Sequence, residues 1–173
     1  MSAAGRRRER AASCQTRRVP SVDVFTGGCE YDAGDPAGFR AGMIDLRKAL
    51  GGEALAVRVF ELPHGESLCP YHYEYEEEWL IVLEGDVRLR TPDGEEVLTR
   101  GQAACFAPGP TGAHKVANAG EGAARVLMFS SAREPAVAVY PDSDKIGVWT
   151  GNAEDRAMLH RRDGRVDYWD GER

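Results

Sequence analysis

Nowhere in the 173-residue chain do 18 uncharged apolar residues follow one another, so the sequence offers no membrane-spanning helix. Gly-x-Ser-x-Gly and P-loop patterns are missing, which leaves serine acyl transfer and nucleotide hydrolysis without support. The four cysteines, Cys14, Cys29, Cys69 and Cys105, form no Cys-x-x-Cys pair. Zinc knuckles and dithiol motifs are thereby excluded, and a reducing, cytoplasmic setting is expected. Cys69 and Cys105 lie in apolar surroundings and read as small core residues. Basic charge is scarce beyond the start. Six of the 22 basic and one of the 28 acidic residues fall in the first 18 positions, so residues 19–173 carry a formal charge of −11. A body of that sign is not expected to seek nucleic acid. The arginine-rich leader, residues 1–18, reads as a disordered tail, and no apolar run follows it to make a secretory signal.

What is present is an ordinary globular composition, 42% hydrophobic and 29% charged, at a length that suits one domain. Residues 19–53 are rich in Gly, Asp and Pro and read as an arm with one short helix near Arg40–Leu50, of the kind that covers a sheet edge or meets a second subunit. From residue 54 to 140 the pattern changes to short β-type runs between turn residues, the mark of an all-β sandwich or barrel. The expected strands are 54–62, 67–73, 78–83, 87–91, 95–98, 103–107, 114–118, 124–130 and 136–140. Asp93-Gly94 signals a two-residue hairpin of type I′. Residues 141–173 form a C-terminal extension expected to pack on the barrel through Tyr168 and Trp169.

Polar chemistry concentrates in Pro70-Tyr71-His72-Tyr73-Glu74-Tyr75-Glu76-Glu77-Glu78-Trp79, just ahead of an apolar run. Residues two apart on a strand share a face, so His72 and Glu74 point the same way and Glu78 can join them from the next strand. Imidazole with carboxylates suits a divalent ion. Glu76 and Glu77 read as a solvated loop, His64 as a turn residue, His160 as exposed, and Asn118 as a strand-end residue.

These residues resemble the first motif of the cupin superfamily, G-x5-H-x-H-x(3,4)-E-x6-G. Glu78 is followed by six residues and Gly85, Glu74 takes the second histidine place and His72 the first, while Gly65 falls one residue early. The second motif, G-x5-P-x-G-x2-H-x3-N, is met by Gly101, His114 and Asn118, with the proline displaced by one to Pro108. The resemblance covers residues 54–140 and implies an antiparallel double-stranded β-helix, or jelly-roll barrel, with its active site in the wider end. It implies a metal site of His72, Glu74, Glu78 and His114, in which Glu74 replaces one of the family's usual three histidines. Another register sets Tyr71 and Tyr73 at the histidine places and turns His72 outward.

The resemblance therefore implies one divalent ion, Zn, Fe or Mn, and a metal-dependent enzyme on a small organic substrate, of isomerase, lyase or dioxygenase type. Glu74 is a candidate general base. The competing reading is a non-catalytic barrel that binds or senses a small molecule without an obligatory metal. A homodimer is expected from exposed strand edges and the habit of the family.

Overall fold

The computed structural model describes residues 18–172; the basic leader, apart from Arg18, lies outside the described residues. Where apolar side chains alternate with polar ones the chain extends, because one face of each strand can be buried while the other meets water. The strands are β1 (Gly42–Asp45), β2 (Leu55–Leu62), β3 (Tyr73–Glu74), β4 (Glu78–Glu84), β5 (Asp86–Thr91), β6 (Gly94–Thr99), β7 (Ala103–Phe106), β8 (Lys115–Asn118), β9 (Ala124–Ser131), β10 (Ala136–Tyr140), β11 (Lys145–Trp149) and β12 (Ala157–His160). One short α-helix, α1 (Leu46–Leu50), sits among the described residues. The Asp45 carboxylate caps it by accepting from Lys48 N, and Gly51 in the left-handed region stops it.

All strand pairings are antiparallel, and the expected all-β jelly-roll barrel is what forms. One wall is a five-stranded sheet in the order β1-β2-β9-β4-β7. The other wall consists of two sheets, β12-β11-β10-β3 and β6-β5-β8, joined by single bridges between Ser67 and Ala117 and between His72 and His114. Between the walls lie Leu62, Leu80, Val82, Val87, Leu89, Val116 and Val126, all at 2% exposure or less. Burying each such side chain is worth about 1.5–3 kcal/mol, so this packed end supplies the rigidity on which the opposite end depends.

The inward positions change character along the strands. On β4 they run from Val82 through Leu80 to Glu78 and on β9, in register, from Val126 through Met128 to Ser130; on β2 Phe60 pairs with Val126 and Arg58 with Met128. Aliphatic packing thus gives way to polar side chains at one end. That end is the barrel mouth.

Several local expectations are corrected. The hairpin between β5 and β6 forms, but Thr91 pairs with Gly94, so its two loop residues are Pro92 and Asp93. Proline holds φ near −65° and cannot enter a type I′ turn; the positive φ, 131°, falls on Gly94 at the strand start. Cys105 is exposed because it alternates with the inward-facing Phe106 on β7. Tyr168 and Trp169 are 82% and 71% exposed, packing edge-on against each other instead of docking. The extension does contribute structure earlier, since β11 and β12 extend the sheet beyond β10.

The N-terminal arm is held from outside the five-stranded wall. Arg125, one position from the inward-facing Val126, donates from Nε and Nη2 to Glu61 at 2.8 and 2.6 Å and to the carbonyls of Val24 and Gly27 at 3.3 and 3.0 Å. Tyr31 donates its hydroxyl to the other Glu61 oxygen at 2.6 Å. A bridge from Glu30 to Met43 then extends the pairing past the edge strand β1.

Candidate metal centre and its cavity

His72 and His114 face each other because their backbones form a two-bond antiparallel bridge: His72 N donates to His114 O at 3.1 Å, and His114 N to His72 O at 2.8 Å. Each imidazole is then oriented by a carbonyl. Nδ1–H of His72 donates to Pro70 O at 3.1 Å and that of His114 to Gly112 O at 2.9 Å. A carbonyl can only accept, so Nδ1 carries the proton on both rings and Nε2 keeps the lone pair. Phe106 stacks on the His114 ring with centroids 3.6 Å apart, and Tyr140 stacks on His72 at 5.8 Å.

Glu78 reaches across from the opposite wall. Its Oε2 stands 3.8 Å from His72 Nε2 and 3.7 Å from His114 Nε2. The three ligand atoms lie within 4.8 Å of one another. His114 Nε2 is fully buried and has no hydrogen-bond partner among the described residues, the kind of orphan that otherwise costs about 1–3 kcal/mol. Ligands at about 2.1 Å from one ion stand roughly 3.0–3.4 Å apart, so each imidazole needs to close on the carboxylate by only a few tenths of an ångström. These residues fit a divalent cation.

Glu74 stands apart from that trio. It lies two residues beyond His72 on β3, where it pairs with Ala138 of β10, and two strand residues carry the chain about 6.6 Å onward. Its carboxylate lines the cavity wall instead of the three-ligand focus. Of the four expected ligands, His72, Glu78 and His114 come together, and Glu74 stands beside them. His72 is turned inward, while Tyr71 and Tyr73, on the opposite face, pack with Ala113 and Val139.

Burial sets the electrostatics. It pushes the Glu78 carboxyl up to about 8, with the Glu74 charge adding to the effect, and raises Glu74 as well against the pull of Arg58. It lowers His72, and with His72 nearby brings His114 down to about 4. Both imidazoles are thus neutral at physiological pH, the state in which they ligate. Tyr140 is pushed up to about 12, again by burial.

With His114 buried beside them, His72 and Glu78 line a cavity of about 430 Å³, of a size that holds a small organic molecule. Several of its residues went unmarked in the sequence. Tyr140, read only as a strand end, flanks His72; Arg58 lies on the inward face of β2, where alternation with Phe60 and Leu62 is the signal that would have found it. Glu76, expected in solvent, lines the cavity and accepts from Ser131 Oγ. Cys69 lines it too, with Sγ 3.4 Å from His72 Nδ1, so it is a neighbour of the site and no inert core residue. Asn118 is structural: its Nδ2 donates to Leu62 O and Gly122 O, and its Oδ1 accepts from Gly120 N. His64 sits in a turn against Gly120 O, and His160 is exposed on β12.

Residues 58–130 match the family model described as the cupin domain. This stretch is a cupin domain. No curated protein matches the chain by sequence. Among solved structures, the cupin barrel is similar to a sugar phosphate isomerase of the cupin superfamily from Silicibacter pomeroyi, at 23% identity and TM-score 0.70 over 86% of this chain and 98% of that one. A candidate sugar phosphate isomerase from Acidithiobacillus ferrooxidans aligns at 21% identity and TM-score 0.70, over 80% and 88%. The polyketide cyclase RemF from Streptomyces resistomycificus aligns at 21% and 0.52, over 62% and 78%. At such identities the likeness is one of fold.

In this cupin domain the turn ahead of His114 depends on close backbone approach. A Cβ on Gly112 would fall 1.9 Å from Ala107 O, and this glycine's own carbonyl orients His114. Gly112→Ala is expected to destabilise the protein by about 2 kcal/mol through overpacking against backbone, read as a lowered midpoint in urea. A midpoint unchanged from the parent protein would show that the 107–112 turn relaxes freely.

Proposed function

We propose that this protein is a metal-dependent enzyme acting on a small organic molecule held in the mouth cavity. His72, Glu78 and His114 hold the ion, and Glu74 stands beside it. The observation that carries the reading is the buried, unpartnered Nε2 of His114, aimed with His72 Nε2 at one carboxylate oxygen. Two imidazoles and one carboxylate suit Zn, Fe(II) or Mn(II). When bound, such an ion supplies Lewis acidity and open coordination positions.

The remaining work belongs to the chain. Carbonyl anchors on both Nδ1 atoms keep the rings from turning. Phe106 covers one face of His114 and excludes water there. Glu74, off the ligand focus but on the cavity wall, holds or takes a proton from a bound molecule, the role of a general acid or base.

Elemental analysis of protein purified without chelators tests the reading, with about one divalent ion per chain expected. Less than about 0.2 ion per chain, even after incubation with Zn, Fe(II) and Mn(II) in turn, would favour a metal-free ligand-binding barrel instead.

A further inference from the structure

We propose that the outer rim of the cavity is a binding site for the doubly charged oxyanion of the substrate, a phosphate monoester or a dicarboxylate, with Arg58 and Arg156 as its main determinants. The inference deepens the metal reading and rests on it for its charge balance. Four arginines line the cavity: Arg47 on α1, Arg58 on β2, Arg133 between β9 and β10, and Arg156 just ahead of β12. They converge from four separate segments of a chain whose body is strongly acidic. No lysine is among the lining residues. A flat guanidinium fork matches the paired oxygens of carboxylate and phosphate in a way an ammonium does not.

None of the four lies within ion-pair distance of a carboxylate among the described residues. Arg88, Arg90, Arg125, Arg161 and Arg162 do pair. Arg156 is oriented in advance, since its Nε donates to Thr150 O at 3.0 Å, leaving the two terminal nitrogens for a ligand. The loop that carries it is itself tied by Asn152, which accepts from Glu154 N and donates to Asp155. Arg58 stands close enough to act on the charges of both Glu74 and Glu78, so its field reaches the ligand carboxylate.

Charge balance sets the class of ligand. Glu74, Glu76, Glu78 and Glu134 line the same cavity and offset the four arginines. A divalent ion at the trio then leaves two net positive charges at the cavity, which a doubly charged anion neutralises. Outside the cavity the acidic body repels anions, so their capture has to be local. Phe60, Leu68, Met128 and Trp149 provide apolar walls for the rest of the molecule.

The test titrates the ion-loaded full chain with inorganic phosphate, with malonate, and with neutral glycerol, followed by calorimetry and by the fluorescence of cavity-lining Trp149. Saturable binding of phosphate or malonate and none of glycerol is expected, and whichever anion binds tighter identifies the source of charge. Arg58→Gln and Arg156→Gln, both exposed positions that fold without difficulty, are each expected to weaken it about tenfold. Metal content is measured on the same samples. Anion affinity unchanged in both variants, with one ion still bound, overturns the rim site and leaves the metal reading standing. Arginine-dependent binding to a protein that takes up no ion sustains the rim site and sinks the metal reading alone. No saturable anion binding overturns the inference.

Discussion

Alanine in place of His114 is expected to lower the affinity for a divalent ion by at least about 100-fold, since losing a group that merely orients a ligand already costs 10–100-fold. The imidazole is 1% exposed and covered by Phe106, so no solvent molecule is at hand to replace its nitrogen. Removing a ring stacked at 3.6 Å also leaves a void, and about 2–3 kcal/mol of stability should go with it. A fall in metal content could then reflect poor folding, so a second variant separates the two effects. Glu78→Gln keeps the shape of the side chain and, without an ion, resembles the protonated carboxyl that burial already favours. It should fold like the parent yet lose the ion on dialysis, as read by elemental analysis and circular dichroism. Both variants holding one ion per chain would end the assignment of the trio.

The strands of the barrel were legible because their inward residues alternate: Leu80 with Val82, Val87 with Leu89, Val126 with Met128. The strands β1, β11 and β12 were not, being short segments whose pairing comes from a neighbouring edge more than from their own pattern. The motif resemblance singled out His72, Glu78 and His114, which do cluster, but a motif does not say how far a two-residue strand runs before its partner changes. Glu74 shares a face with His72 and still ends at the wall, because β3 pairs with β10 there while the ligand focus lies at the seam with His114. Arg58, Arg156 and Tyr140 come from segments outside either motif, and only closure of the barrel brings them to one cavity. Motif reading finds groups that act through a fixed local spacing; a pocket assembled from β2, the β9–β10 connection and the tail has no such spacing to find.

Replacing Arg125 with methionine is expected to destabilise the protein by about 3 kcal/mol, the lower end of what breaking a buried ion pair costs. The guanidinium is 8% exposed and serves three acceptors, so its loss strands the Glu61 carboxylate and frees the carbonyls of Val24 and Gly27. The sign of the pH dependence follows from Glu61. Its carboxyl is held below the ordinary value of 4.5, first by the Tyr31 hydroxyl and then by Arg125. The stability this contributes is fully present above that ordinary value and is lost as pH falls through the depressed one. In the variant the unpaired carboxylate binds its proton more readily, so the gap between parent and variant should be widest near neutral pH and narrow towards pH 3. Urea midpoints across that range measure it. Arg125→Lys should fall between the two, because one ammonium keeps the charge but cannot span a carboxylate and two carbonyls. The clasp lies on the outer face of the wall, one position from Val126, so metal content should stay at the parent value in both variants. A gap that does not change with pH would mean that Arg125 acts only as a packing surface for the arm.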